Sequence, residues 1–118
     1  AAEEHYNRAV QVLQKTLGDH HPETATVKMN LAVLYGRMKQ TDKALSLAKT
    51  AVSVHKGVFG EQHAKMEGNY MNLGKIMLAH GMVKKDPTIV DEGISMLIKS
   101  SRVTVHCKGE FHPTLARL

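Results

Sequence analysis

A chain of 118 residues, 42% of them hydrophobic and 23% charged, can build one domain-sized core but not two independent ones. Aromatic residues supply only 4% and tryptophan is absent, so the core must come from Leu, Val, Ile, Met and Ala, which suits packed helices better than a β-sandwich. The net charge of +5 comes without a long basic run or an aromatic-basic cluster, which argues against nucleic acid and favours acidic peptides or acidic protein surfaces.

The first predicted helix covers residues 4–17, where Tyr6, Ala9, Val10, Leu13 and Leu17 recur three and four apart. Gly18 stops it. Pro22 suits the opening turn of a second helix over 23–38, whose stripe is Val27, Leu31, Leu34, Tyr35 and Met38. After a short polar break, Asp42 is the expected cap of a third helix over 42–56. That segment carries Ala44, Leu45, Leu47, Ala48, Ala51, Val52 and Val54 on more than one side, as a helix wedged between two neighbours should. Gly57 and Gly60 bracket its end. A fourth helix over 63–80 carries Tyr70, Leu73, Ile76 and Met77 and ends near Gly81. A fifth over 88–106 carries Val90, Ile94, Leu97, Ile98 and Val105, and a sixth starts over 112–118.

The order of these helices is repetitive. Leu17-Gly18-Asp19-His20-His21-Pro22 returns as Phe59-Gly60-Glu61-Gln62-His63-Ala64 and again as Lys108-Gly109-Glu110-Phe111-His112-Pro113. Gly18 to Gly60 is 42 residues and Gly60 to Gly109 is 49, which is 42 plus seven. Asn30-Leu31-Ala32 returns in register as Asn72-Leu73-Gly74, and Ala9-Val10 as Ala51-Val52. Repeats of this length stack supersecondary units that cannot bury their apolar faces alone. The seven extra residues, 82–88, are expected to lengthen a loop or the start of the fifth helix. Small residues at the crossings, Ala44, Ala48 and Ala51, would let helices approach closely.

Asn30-Leu31-Ala32-Val33-Leu34-Tyr35, followed by Ala44 and Ala51, resembles the tetratricopeptide spacing of Leu, small, Tyr, Ala and Ala. The 42-residue period and the Leu-Gly-X-X-His-Pro linker are similar to the kinesin-light-chain subclass. The resemblance implies an all-α, right-handed superhelical stack of antiparallel helix pairs, a single repeat domain over 1–118 cut from a longer array. Departures are Ala64 for the linker proline, Met77 for the tyrosine, and Gly93 and Ser100 for the two alanines of the last pair. The heptad segment that pairs kinesin light chains with their heavy chains does not occur here.

In that family the first helix of each pair lines the concave side and a partner peptide lies across it. Carried over by position, this implies Thr26, Met29, Asn30, Val33 and Arg37 in one repeat, and Met71, Asn72, Lys75 and Ala79 in the next. Asn30 and Asn72 can bracket a peptide amide or bond a neighbouring helix. Arg37 and Lys75 can attract carboxylates or form a solvated face. Met29 and Met71 can meet a ligand or pack. The implied function is a non-catalytic scaffold that binds an acidic, extended or helical peptide. The alternatives are a repeat arm of a larger enzyme and a structural segment of a large assembly.

Other chemistry has little support. The histidines lack zinc-module spacing, and His21, His63 and His112 occupy equivalent linker positions, which suits packing or capping. Cys107 beside His106 does not form a nucleophile–base pair, because helix neighbours do not face each other. No glycine pattern cradles phosphate. No cofactor or metal is expected, and no membrane contact, since no stretch reaches about 18 apolar residues. One thiol and no visible signal peptide suggest the cytoplasm. Leu13, Leu115 and Leu118 are left open to self-association at the ends of the array.

Overall fold

A computed structural model describes residues 2–111, with side chains from Glu3 to Val105. Five helices follow one another: α1 (Ala2–Thr16), α2 (Pro22–Arg37), α3 (Thr41–Phe59), α4 (Lys65–Lys84) and α5 (Pro87–Phe111). Each packs on the next through short connectors, and α2 also touches α4 directly. Among the described residues the backbones of α1, α3 and α5 stay further from one another than those of α2 and α4. The stack therefore has a close-set layer, α2 and α4, and a spread layer, α1, α3 and α5. The close-set layer is the inner side of the bend, as in other helical solenoids. This is an all-α repeat stack of tetratricopeptide type.

The core runs between the layers. Ala25, Ala32, Ala44, Ala48, Ala51 and Met66 have no exposed surface, and Leu31, Tyr35, Tyr70, Leu73, Ile76, Met77 and Val103 are buried with them. Such a core is built from small side chains at the crossings and longer ones between them, which is how helices close to van der Waals distance without voids.

The repeated linker has a physical role. Gly18 and Gly60 take φ of +90° and +87°, a region that glycine enters without a Cβ clash. At each of these helix starts a histidine accepts a backbone N–H of the first turn: His21 is the residue before α2, and His63 lies two before α4. The Glu23 backbone N–H donates to His21 Nδ1 at 3.1 Å, and the Lys65 N–H donates to His63 Nδ1 at 3.1 Å. The third linker histidine, His112, lies outside the described residues, as does the sixth helix expected over 112–118. So do Leu115 and Leu118.

Several boundaries depart from the sequence expectations. Asp42 does not cap α3; Gln40 holds that position without a side-chain bond, and Asp42 sits in the first turn, where its charge favours the helix N-terminus. Helix α3 passes through Gly57 to Phe59. Helix α4 passes through Gly81 to Lys84, so the inserted residues do not form a long loop. Met82, Val83 and Lys84 add a turn to α4, and Lys85 turns left-handed at φ 55°. Asp86 then accepts the Thr88 N–H at 2.9 Å, and Pro87 opens α5. The insertion goes into helix because nothing in Met82–Lys84 breaks one and Asp86-Pro87 supplies a complete helix start.

Candidate functional site

The inner layer carries two adjoining clefts. The first, about 510 Å³, lies between α2 and α4 and is closed at its back by α3; its walls include Thr26, Asn30, His55, Phe59, Asn69 and Asn72. The second, about 310 Å³, continues along the same two helices between Val33, Gly36, Arg37, Asn72, Lys75, Ile76 and Ala79. Asn72 lines both, so the two form one strip.

Eight of the nine residues assigned by register lie on this strip: Thr26, Met29, Asn30 and Asn72 on the first cleft, and Val33, Arg37, Asn72, Lys75 and Ala79 on the second, with Asn72 shared. Met71 lines neither cleft, although it is 37% exposed. Met29 lines the first cleft as a largely buried residue. It is only 5% exposed and belongs to the core, with just an edge reaching the cleft. It sits beside the apolar stripe of α2 and joins the buried core cluster. Thr26 is committed to the fold: its hydroxyl donates to the Pro22 carbonyl at 2.9 Å and lies 3.2 Å from His55 Nε2.

Asn30 and Asn72 make no side-chain hydrogen bond among the described residues, so their amides face the cleft rather than a neighbouring helix. The helix-bonding role belongs to Asn69, one turn earlier on α4. Its Nδ2 donates to the Lys65 carbonyl at 2.9 Å, which turns Oδ1 toward His55 Nδ1, also 2.9 Å away. Asn69 Oδ1 can only accept, so this contact is a hydrogen bond in the Nδ1–H tautomer. In the other tautomer His55 Nε2–H donates to the Pro22 carbonyl oxygen of α2, 3.0 Å away. One buried imidazole thus ties α3 to the inner layer in either tautomer. Phe59 packs 5.8 Å from the His55 ring and 5.0 Å from the His63 ring, which extends the tie to the linker.

Sequence reasoning missed His55, Phe59 and Asn69. The repeat register gives no signal for the network, because Leu13 and Val27 stand 42 residues before His55 and Asn69. The available clue was a histidine closing the apolar run of the third helix.

Charge on the strip is uneven. Arg37 and Lys75 have no acidic partner among the described residues, while Glu23 and Lys65 stand together on the first cleft. The strip thus offers two amides, two free cations and the apolar walls Val33, Ile76 and Ala79. Among the described residues no three His, Cys, Asp or Glu side chains converge as metal ligands. None of their helices is long and apolar enough to cross a membrane.

Comparison with known proteins agrees with this geometry. Residues 1–57 match the tetratricopeptide repeat family, a span that ends inside α3. The chain is also similar to a clustered mitochondria protein homolog of Meyerozyma guilliermondii, 29% identical over 121 aligned positions. That alignment takes in 91% of this chain and 9% of the other protein, so the chain spans only a small part of the length of that relative.

Proposed function

We propose that this chain is a non-catalytic scaffold that holds an acidic, extended or helical segment of a partner protein along its α2/α4 layer. Tetratricopeptide repeats generally mediate protein–protein interaction. The observation that carries the reading is the strip itself: Asn72 joins two clefts whose free side chains are Asn30, Arg37 and Lys75. Asn30 and Asn72 supply donor and acceptor for a main-chain amide, and Arg37 and Lys75 supply the positive field for a carboxylate. Val33, Ile76 and Ala79 supply the apolar floor that gives such a contact its driving force. We read the subclass as kinesin-light-chain-like from the 42-residue register, and the compartment as the cytoplasm, where a lone Cys107 stays reduced.

A second reading, a repeat arm within a larger polypeptide, is favoured by the alignment to 9% of a much longer protein. It concerns the setting of the strip rather than its chemistry. Selection of a random peptide library on the immobilised chain tests the first reading. Enrichment of acidic peptides that compete with one another is expected. Enrichment of neutral or basic sequences, or acidic ones unaffected by Lys75→Glu, counts against it.

A further inference from the structure

Away from the strip, a third cleft of about 120 Å³ opens between the second linker, α4 and α5, and it shares no residue with the other two. Its walls are Glu61, Gln62, Tyr70, Lys99, Arg102 and Val103. Tyr70 is only 3% exposed, yet its hydroxyl has no hydrogen-bond partner, alone in this among the buried side-chain polar atoms of the described residues. Tyr70 lines the cleft with its hydroxyl just out of solvent contact; buried hydroxyls are nearly always paired, so an unpaired one behind the cleft wall marks a place where an acceptor belongs once a neighbouring side chain shifts. Burial, and then the nearby Glu61 carboxylate, push the phenol above its ordinary range, which keeps its proton available for donation.

The charges around this hydroxyl do not balance. Glu61 is held at 3.0 Å by Lys56 and at 3.9 Å by Lys99. Lys99 also stands 5.6 Å from the centre of the Tyr70 ring. Arg102, one turn further along α5, has no acidic partner among the described residues. Three cations thus face one carboxylate. The cleft holds about four waters' worth of liquid volume, room for a small oxyanion group and little more.

We propose that Tyr70, Lys99 and Arg102 form a subsite for a single carboxylate, supplied by an acidic side chain or a chain terminus of a partner polypeptide. The Tyr70 hydroxyl donates to one carboxylate oxygen, and the Arg102 guanidinium, with its planar fork of donors, meets the other. Lys99 turns from Glu61 to share its charge with the newcomer. The oxyanion is chosen by the number of donors: the Tyr70 hydroxyl and the planar Arg102 fork suit the two oxygens of a planar carboxylate, whereas tetrahedral phosphate brings a further oxygen toward Glu61, which can only accept. The site is independent of the strip on the inner layer.

The test is titration of the 118-residue chain with sodium acetate, and separately with inorganic phosphate at matched ionic strength, followed through backbone amide shifts. The expected result is a saturable shift confined to residues around Tyr70, Lys99 and Arg102, with acetate bound more tightly than phosphate. Tyr70→Phe and Arg102→Gln should each weaken acetate binding at least fivefold. Tyr70→Phe should melt no lower than the parent without acetate, since the lost hydroxyl has no internal partner. Absence of a saturable shift, or unchanged acetate binding in both variants, overturns the site. Tighter binding of phosphate overturns its assignment to a carboxylate.

Discussion

The two helix pairs, α2–α3 and α4–α5, solve the same packing problem with different side chains. In the first, Ala32 and Ala44 stand at the crossing with no exposed surface. In the second, Gly74 and Gly93 hold the equivalent positions, 42 residues after Ala32 and 49 after Ala44. A Cβ added at Gly74 would lie 2.9 Å from the Gly93 carbonyl oxygen, and one added at Gly93 would lie 2.9 Å from that of Gly74. The family match covers residues 1–57 and stops before the second pair. What looks in the sequence like decay of the repeat pattern is a closer crossing, at which backbone meets backbone. The inserted turn of α4 belongs to the same region, where Gly81 runs against Val90 and the Asp86 carbonyl.

The sharpest way to break this comparison is a reciprocal swap. Gly93→Ala should destabilise the chain by about 1–3 kcal/mol, because the methyl group meets a carbonyl and a helix backbone that cannot yield cheaply. The expected gain in helix propensity, about 1 kcal/mol, is too small to offset the clash. A thermal melt that rises on this substitution would show that the crossing is looser than described. Next in size is Asn69→Ala, which strips the buried His55 Nδ1 of its acceptor and should cost about 1–2 kcal/mol in denaturant unfolding. Asn72→Ala, one turn away with no internal bond, should stay within about 0.5 kcal/mol of the parent. In the first pair, Ala44→Gly should cost about 1 kcal/mol, since it alters propensity at a crossing that has no need of a glycine.

The smallest expected effect lies on the linker of the second pair. Lys56 beside Glu61 holds that carboxyl below the ordinary glutamate range, with Lys99 helping, and Glu61 in turn raises Lys56. A carboxyl lowered in the folded state adds stability above its unfolded pKa and loses it as pH falls through the folded value. The difference in melting temperature between the parent and Glu61→Gln should therefore be slight near neutrality. It should shrink in acid, and shrink with added salt because both groups are exposed. As pH rises through the folded value of Lys56, its share should fade as well.

Much of the fold was legible because the physics is periodic. Apolar residues three and four apart marked five helices, and the Gly-acid-X-His linker announced each new pair. The glycine takes the left-handed turn and the histidine accepts the first free N–H, so the motif encodes geometry directly. The ends of α3 and α4 were less legible. Gly57 and Gly81 look like stops, but packing keeps both inside helices, and Gly81 is needed there for its lack of a side chain. The inner strip was legible through register, which put Asn30, Val33, Arg37, Asn72, Lys75 and Ala79 on one surface. Register could not tell that Met29 sinks into the core, because one position beside a stripe is buried or open according to what packs across it. Nor could it find His55 and Asn69, which occur once in the chain and act only at the junction of α2, α3 and α4.

The proposed role of the α2/α4 strip is to hold an acidic peptide segment through Asn30, Arg37, Asn72 and Lys75. Isothermal calorimetry of a selected acidic peptide against the parent and against the triple variant Asn30→Ala, Asn72→Ala, Lys75→Glu tests it most directly. Melting of the two proteins serves as the control for folding. The triple variant is expected to melt close to the parent and to bind at least tenfold more weakly. Equal affinity in two equally folded proteins would contradict it.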